Sequence, residues 1–363
     1  MPRTSPTTPT QPDAVEVIVT EPQPLFLTAA IKSGGTPLFA AQPTQRVRAV
    51  ATPATNGNGC VVTLDRGAVV DLFNNGNTLL NIPSCDLYVN SDASNALDQV
   101  GNAVINAESA FITGNLSDSG HAALNTTNGT FTGTAPINDP YANLPAPYTS
   151  PGGACTNASP PTVSGGTVTV NGLGNQVYSP TPAGGMMVFC GGLNPTNNNV
   201  TFDPGLYVVD GGTFGCNGCT ISGSNVTIYL TGSGNNYATM SFSGNGTTQL
   251  NINAPTDAYM QSNPGSKALE GIAIFGDRSA PTGLSSSFSG NATATINGVI
   301  YLPTESVTFN GNGAGTPSCA QIVSYQLTFH GNSGFANNCT AYQNQNTGAG
   351  VQNIGAIPAF LVE

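Results

Sequence analysis

The chain has 363 residues, and only 7% of them are charged, against roughly 25% in an ordinary soluble domain. Seven Lys and Arg stand against eighteen Asp and Glu, and the resulting net charge of −11 excludes nucleic-acid binding through phosphate neutralisation and attraction to an anionic membrane surface. Forty-five Gly and 27 Pro exclude long helices, and a hydrophobic fraction of 39% excludes charge-driven disorder. The composition predicts an all-β protein with many turns.

The N-terminal residues are predicted to comprise a disordered tract followed by a short β segment. Residues 1–13 are rich in Pro and Thr and contain no apolar run, so they are not a signal peptide. Residues 14–54 are predicted to be an N-terminal β segment, because Val15, Val17 and Val19 recur at a period of two and residues 46–51 have the composition of another strand. The apolar stretch 25–31 is too short to span a bilayer.

Gly-Asn dipeptides recur through the rest of the chain and separate short alternating apolar runs. Gly290-Asn291, Gly311-Asn312 and Gly331-Asn332 follow one another at intervals of 21 and 20 residues. This period predicts a right-handed parallel β-helix (β-solenoid) with a smaller N-terminal β region. Gly and Asn would occupy corners that need positive φ, and stacked Asn side chains would form hydrogen-bonded ladders. An antiparallel sandwich is the competing architecture.

The predicted divisions are a short β-solenoid-like region at 55–135, a Pro-rich linker or excursion at 136–160, the main parallel β-helix at 161–345 and a C-terminal tail at 346–363. Alternation within the short runs predicts the inward-facing side chains of the main helix, which are Val168, Val170, Val226, Ile228, Leu230, Ile252, Ile272, Ile274, Ile296 and Phe309.

The eight cysteines fall into four couples that are close in sequence. This pattern predicts disulfides in an oxidising compartment. The Cys-Asn-Gly-Cys spacing also admits a zinc or redox site, although a small structural disulfide is the simpler interpretation. The pairs suggested by nearness are Cys60–Cys85, Cys155–Cys190, Cys216–Cys219 and Cys319–Cys339.

Few residues of the main helix could perform acid–base chemistry. Asp277 and Arg278 place a carboxylate beside a cation and are the candidates for a special role, with a local ion pair or a turn-fixing contact as the simpler interpretation. Hydrolases of this fold use two or three carboxylates on neighbouring turns of the helix. Asp203 and Asp210 lie seven residues apart, but both adjoin Gly or Pro in turn contexts, which favours a structural role. No cofactor and no catalytic residue is predicted.

Several short segments, in this order along the chain, resemble the exported part of tight-adherence (Tad/Flp) pilus-associated TadE/TadG-like proteins of bacteria. The resemblance implies a role in pilus biogenesis or surface attachment. In that family the membrane connection is a single N-terminal helix, which is absent from this sequence. We therefore expect that export information was lost with a missing N-terminus. It implies no catalytic residue. The segments are 59–65, 85–91, 139–147, 190–192, 206–212, 271–278, 298–303 and 360–363.

We therefore predict a non-enzymatic exported protein of the bacterial periplasm or cell surface, with an inner-membrane anchor in the full-length form as an open alternative. Its expected partners are pilus-assembly components, a surface glycan or further copies of itself, and not nucleic acid. The alternatives are a secreted carbohydrate-active enzyme, such as a polysaccharide lyase or hydrolase, and a carbohydrate-binding module. Three or more acidic side chains in one groove would favour the enzyme, whereas scattered acids favour the structural protein.

Overall fold

A computed structural model gives the fold of the protein. It describes residues 59–149, 176–180, 184–244, 248–312 and 314–337, together with the backbone of the strands at 15–22, 32–33, 36–37, 44–54 and 357–362. Strands dominate these residues, and the one helix among them is α1 (Asp257–Ser262), which begins at Thr256. The all-β prediction is confirmed.

The first twelve strands are β1 (Val15–Pro22), β2 (Lys32–Ser33), β3 (Thr36–Pro37), β4 (Thr44–Ala54), β5 (Gly59–Thr63), β6 (Leu72–Gly76), β7 (Leu79–Ile82), β8 (Asp86–Val89), β9 (Leu97–Gly101), β10 (Val104–Ile112), β11 (Leu116–Gly120) and β12 (Ala123–Thr132). They are followed by β13 (Gln176–Tyr178), β14 (Met186–Leu193), β15 (Val200–Phe202), β16 (Gly205–Asn217), β17 (Thr220–Ser224), β18 (Val226–Ser233), β19 (Asn236–Tyr237) and β20 (Thr239–Gly244). The last eight are β21 (Gln249–Asn253), β22 (Ile272–Gly276), β23 (Leu284–Gly290), β24 (Thr293–Gly311), β25 (Ala314–Ser318), β26 (Ala320–Gly331), β27 (Gly334–Asn337) and β28 (Ile357–Val362).

The described chain divides into two units, one of which comprises residues 1–56 and 356–363. In this unit β4 pairs antiparallel with β1 and with β28. The strands predicted at 14–20 and 46–51 are therefore confirmed as β1 and β4.

The second unit, residues 57–355, contains a sheet of 23 strands. Its strands pair in parallel, apart from the short antiparallel pair β18–β19. The pairing of β24 with β26 is typical, because Gly298 lies opposite Ala320 and Gly311 lies opposite Gly331, so that partners are about one Gly-Asn interval apart. The competing antiparallel sandwich is excluded by this parallel register.

The spatial order of the strands departs from the order in the chain. β26 pairs with β5 and β6, and β27 pairs with β7. Residues 59–132 thus continue the sheet beyond residues 320–337, although they precede them in the sequence. The residues predicted as a short β-solenoid-like region at 55–135 therefore share one sheet with those of the predicted main helix.

The prediction of a right-handed parallel β-helix is wrong. Six parallel strands form a closed ring in the order β16, β18, β22, β24, β23, β20 and back to β16, and further strands extend this ring. The physical reason is that β16 and β24 are much longer than the strands of three to six residues expected from the sequence. Glycines at positive φ and register shifts let each of them bend without ending, so each bonds to different partners along its two halves.

The core lies inside the ring and its extensions. Seven of the ten side chains predicted to face inward belong to the buried core, which confirms them: Val226, Ile228, Leu230, Ile252, Ile274, Ile296 and Phe309. Ile272 is buried but is not part of this core, and a register shift separates it from Ile274. Val168 and Val170 lie outside the described residues. The rings of Phe242, Phe288, Phe309 and Phe329 stack in a row with 5.1 Å between successive centroids, because parallel in-register strands place equivalent side chains above one another.

The predicted Asn ladders are present at the Gly-Asn turns. One ladder contains Asn291, Asn312, Asn332, Asn77 and Asn102, with side-chain hydrogen bonds of 2.8 to 3.1 Å between neighbours. The glycine before each of these residues has a positive φ between 68° and 107°. A second ladder joins Asn81, Asn106 and Asn125, with bonds of 3.0 Å.

Two of the predicted disulfides, Cys60–Cys85 and Cys216–Cys219, are present. Cys190 and Cys319 are also disulfide-bonded, whereas Cys155 and Cys339 lie outside the described residues. These bonds indicate an oxidising, exported environment. Over the described parts of the chain, no helix has the length and hydrophobicity needed to cross a bilayer.

Candidate functional site

A row of apolar and aromatic side chains runs across the outer face of the large sheet. The residues of this row are register partners on successive strands, and each is at most 4% exposed. They are not part of the core inside the ring. We call this set the outer row: Val208, Tyr229, Phe275, Tyr301, Val323, Val62, Tyr88 and Phe111.

Residues 133–149, which follow β12 and are here called the strap, lie against this face. Asn90, which follows β8, donates to the carbonyl of Ile137 and accepts from its amide, both at 2.9 Å. Arg66 donates to the Ile137 carbonyl and to the Asn138 side chain, each at 3.1 Å. Asn90 thus presents to the strap the paired donor and acceptor that a neighbouring strand would.

Two tyrosines hold the middle of the strap. Tyr301 of the outer row donates to Asp139 Oδ2 at 2.6 Å, while Asp139 Oδ1 accepts from the Tyr141 amide at 2.9 Å. Tyr141 is buried against Tyr301, with ring centroids 5.4 Å apart, and its hydroxyl donates to Gln321 Oε1. Gln321 in turn donates to the Gly59 carbonyl at 2.5 Å. Burial and the Asp139 carboxylate raise the pKa of Tyr301, which keeps it a hydrogen-bond donor.

Asp277 and Arg278 follow β22 and have separate roles. Asp277 Oδ1 accepts from the Ser279 amide at 2.8 Å and Oδ2 accepts from the Thr231 hydroxyl at 2.6 Å, so this carboxylate fixes the turn and joins it to β18. Arg278 donates to the strap carbonyls of Tyr141, at 3.2 Å, and Leu144. Its guanidinium lies 5.4 Å from the centroid of the Phe275 ring, a cation–π distance.

The structure does not bring the other acid–base candidates together. The backbone from Gly205 to Asp210 is extended, so at about 3.3 Å per residue it separates Gly205 from Asp210 by roughly 16 Å. Asp203 lies before Gly205 and is exposed. Paired glycosidase carboxylates lie within about 10 Å of each other. His121 is exposed at an end of the sheet, and His330 packs edge-on against Phe73 at 5.3 Å.

Two buried carboxyl groups escaped the sequence analysis. Asp71 is 1% exposed, and burial raises its pKa to about 8 even though the Thr63 hydroxyl donates to Oδ2 at 2.6 Å. Glu305 is 2% exposed, and burial raises its pKa to about 7 against the hydrogen bond from Ser286. No local signal marks either residue, because burial depends on neighbours that only the fold brings together, such as Leu327 beside Asp71 and Leu284 beside Glu305.

The acidic side chains are otherwise dispersed. Asp86 and Glu108 interact with each other, as do Asp257 and Glu270, and the pKa of Asp86 is raised by burial and by the neighbouring charge. Among the described residues, no three His, Cys, Asp or Glu side chains are grouped as a metal ion would require. The polar side chains of this site therefore provide a hydrogen-bonding surface and the contacts that hold the strap.

Comparison of this chain with protein-family models, with curated proteins and with solved structures finds no match to any of them.

Proposed function

We propose that this protein is a non-enzymatic component of the bacterial cell envelope or surface that acts in tight-adherence pilus assembly or in adhesion. The observation that carries the proposal is the pair of Asn ladders at the turns and strand faces. Their side chains are bonded to one another and so are held in fixed rows, and they present a neutral surface of amide donors and acceptors.

Two further features support this function over an enzyme, and a third supports the exported location. The described acidic side chains interact in pairs at most, which is below the grouping that a lyase or hydrolase of polysaccharides needs. Asp277, the best single candidate for chemistry, has both of its oxygens occupied by Thr231 and Ser279. The disulfides agree with an exported location.

Deletion of the gene in its host tests the proposal, with piliation scored by electron microscopy and attachment scored on a solid surface. We expect the deletion to reduce one of them, and both the wild-type chain and Asp277→Asn to restore it, because the amide oxygen can still accept from the Ser279 amide while the amide NH2 group donates to the Thr231 hydroxyl oxygen. Unchanged piliation and attachment in the deletion strain would contradict the proposal.

A second experiment separates the structural protein from the enzyme. The purified chain is incubated with pectin, alginate and related polymers, and the release of reducing ends is measured. We expect no release above the buffer control. Depolymerisation that Asp277→Asn abolishes would establish the enzyme instead.

A further inference from the structure

Buried oxygens without a partner are concentrated at one bend of the large sheet. Among the described residues, six buried side-chain oxygens make no hydrogen bond, and three of them lie at this bend: Asp71 Oδ1, Thr304 Oγ1 and Ser324 Oγ. All three residues are at most 8% exposed. Because a buried polar atom without a partner is costly, this concentration points to a ligand at the bend.

The bend lies where neighbouring strands change their partners. β26 pairs with β5 before the bend and with β6 after it, and it crosses the bend without a break. β24 has a register shift there, between Leu302 and Ser306, which brackets Thr304. Ser324 is the register partner of Leu302 on one side and of Thr63 on the other. The polar groups of the bend therefore come from strands that are adjacent in space.

The side chains of Ser324 and Thr63 point into the interior together. Their neighbours Val323 and Val62 belong to the outer row, and successive side chains of a strand point to opposite faces. Ser324 and Thr63 are both 0% exposed. The Thr63 hydroxyl donates to Asp71 Oδ2 at 2.6 Å, so the carboxyl of Asp71 reaches the same interior space.

The arrangement allows one water molecule between Asp71 and Ser324. Asp71 Oδ1 and Ser324 Oγ are not hydrogen-bonded to each other. Ser324 and Thr63 lie on adjacent strands, which are roughly 4.8 Å apart in a sheet, and the Asp71 carboxyl is bonded to Thr63. A water that bonds to two oxygens joins atoms about 5–6 Å apart, which is a separation of this size.

The chemistry of the site favours water over a cation. Burial raises the pKa of Asp71 to about 8, although Thr63 and the backbone amides of Ser91 and Asn90 lower it. Asp71 Oδ2 already accepts from Thr63, so the proton of the neutral carboxyl belongs on Oδ1, where it needs an acceptor. Water accepts this proton in a hydrogen bond and also donates to the Ser324 hydroxyl oxygen, whereas a cation can do neither.

We propose that a water molecule is bound inside this bend and bridges Asp71 Oδ1 and Ser324 Oγ. It links residues 59–132 to residues 320–337, which are far apart in the sequence. Across the same junction Gln326 donates to Asp65 Oδ2 at 2.9 Å, and the water is the buried counterpart of that direct bond. This site does not depend on the pilus assignment, so either proposal can fail without the other.

A high-resolution crystal structure of the full chain tests the proposal directly. We expect a solvent peak about 2.6–3.2 Å from both Asp71 Oδ1 and Ser324 Oγ. No peak between these atoms, or a direct hydrogen bond between the two side chains, would overturn the proposal. So would a peak surrounded by six or more oxygens at about 2.3–2.6 Å, which would be a metal ion.

A double-mutant cycle gives an independent reading in solution. The equilibrium constant of unfolding in urea is measured for Asp71→Ala, Ser324→Ala and the double variant. Because either single variant removes one end of the bridge, we expect the double variant to lose about tenfold less stability, as an equilibrium constant, than the product of the two single losses.

Asp71→Ala/Ser333→Ala is the matched control for this cycle. Ser333 is also buried, but its hydroxyl donates to the Phe309 carbonyl at 3.0 Å, beyond the far end of β26. The two losses should therefore multiply in the control. Losses that multiply in the Asp71 and Ser324 pair as well would overturn the bridge, as would equal coupling in the control.

Discussion

At the scale of single residues, Asp71 and Glu305 are buried acids, and none of the described cationic side chains stabilises the charged form of either. Their pKa values, about 8 and about 7, mean that in the folded protein Asp71 keeps its proton until about pH 8 and Glu305 until about pH 7. In the unfolded chain both ionise near pH 4. The folded state therefore binds more protons than the unfolded state between these limits.

The contribution of these two groups to the free energy of unfolding should therefore be greatest below about pH 4. It should fall as the pH rises, by up to about 1.4 kcal/mol per pH unit for each group, until about pH 7 for Glu305 and about pH 8 for Asp71. Urea unfolding at a series of pH values measures this slope. Asp71→Asn should flatten it, while Asp118→Asn, which alters an exposed carboxyl, should leave it as in the wild type. Equal slopes in Asp71→Asn and the wild type would show that Asp71 is not a neutral acid in the folded state.

Glycine 76 shows why the Gly-Asn turns tolerate no other residue before the asparagine. Its φ is +107°, and a Cβ atom there would lie 2.5 Å from the Gly331 carbonyl oxygen on the neighbouring strand. Gly76→Ala should lower the free energy of unfolding by about 3 kcal/mol, through strain and overlap together. Gly133, with φ of +70° and no atom within 4 Å of the added Cβ, isolates the strain, and Gly133→Ala should cost about 1 kcal/mol. Similar losses in the two variants would refute the steric explanation.

At the scale of elements, the strap is held mainly by polar side chains that reach its backbone. Two of the three Lys and Arg whose side chains are described, Arg66 and Arg278, donate to strap carbonyls. Backbone carbonyls accept bonds from arginine whatever side chains the strap carries. The contacts to the strap backbone therefore depend on the sheet side alone, whereas those of Asp139 and Tyr141 also depend on the strap sequence.

Arg278→Ala should loosen the strap without unfolding the sheet, because it removes the donors to Tyr141 and Leu144 while the bonds at Asn90 and Asp139 remain. We expect faster hydrogen exchange and faster proteolysis within 137–149, with the exchange of β22 and β24 unchanged. Lys267→Ala removes the third of these cations and should leave the strap as protected as in the wild type. Unchanged protection of 137–149 in Arg278→Ala would show that the guanidinium does not hold the strap.

At the scale of the whole molecule, the two described disulfides constrain the unfolded chain to different extents. Cys60–Cys85 spans 25 residues and Cys216–Cys219 spans 3. All four of these cysteines are at most 2% exposed, so the packing lost on substitution is comparable. The difference in loop length then decides which bond contributes more.

We expect Cys60→Ser/Cys85→Ser to lower the free energy of unfolding by about 3.5 kcal/mol and Cys216→Ser/Cys219→Ser by about 2 kcal/mol, from the entropy of closing each loop. Urea unfolding of the two double variants beside the wild type measures both losses. A larger loss for the short loop would mean that local contacts, and not loop closure, determine the contribution.

Local features of the sequence determined the fold class, the buried strand faces, the Asn ladders and two disulfides of this protein. Composition and period-two alternation were enough to predict the all-β class and the buried face of Val226, Ile228 and Leu230, because alternation within one strand decides which side chains share a face. The spacing of the Gly-Asn turns was enough to predict the Asn ladders, since parallel in-register strands repeat each turn one strand further on. Nearness in the sequence was enough to predict Cys60–Cys85 and Cys216–Cys219.

Only the tertiary structure decided how the strands pair into a closed ring. The ring exists because β16 and β24 bend instead of ending, and no period in the sequence distinguishes a bend from a break. The joining of β5 to β26, the hydrogen bond of Tyr301 to Asp139 and the neutral state of Asp71 depend on packing between segments far apart in the chain. Such contacts form where surfaces fit in space, and a pattern read along the chain carries information about neighbours in sequence only.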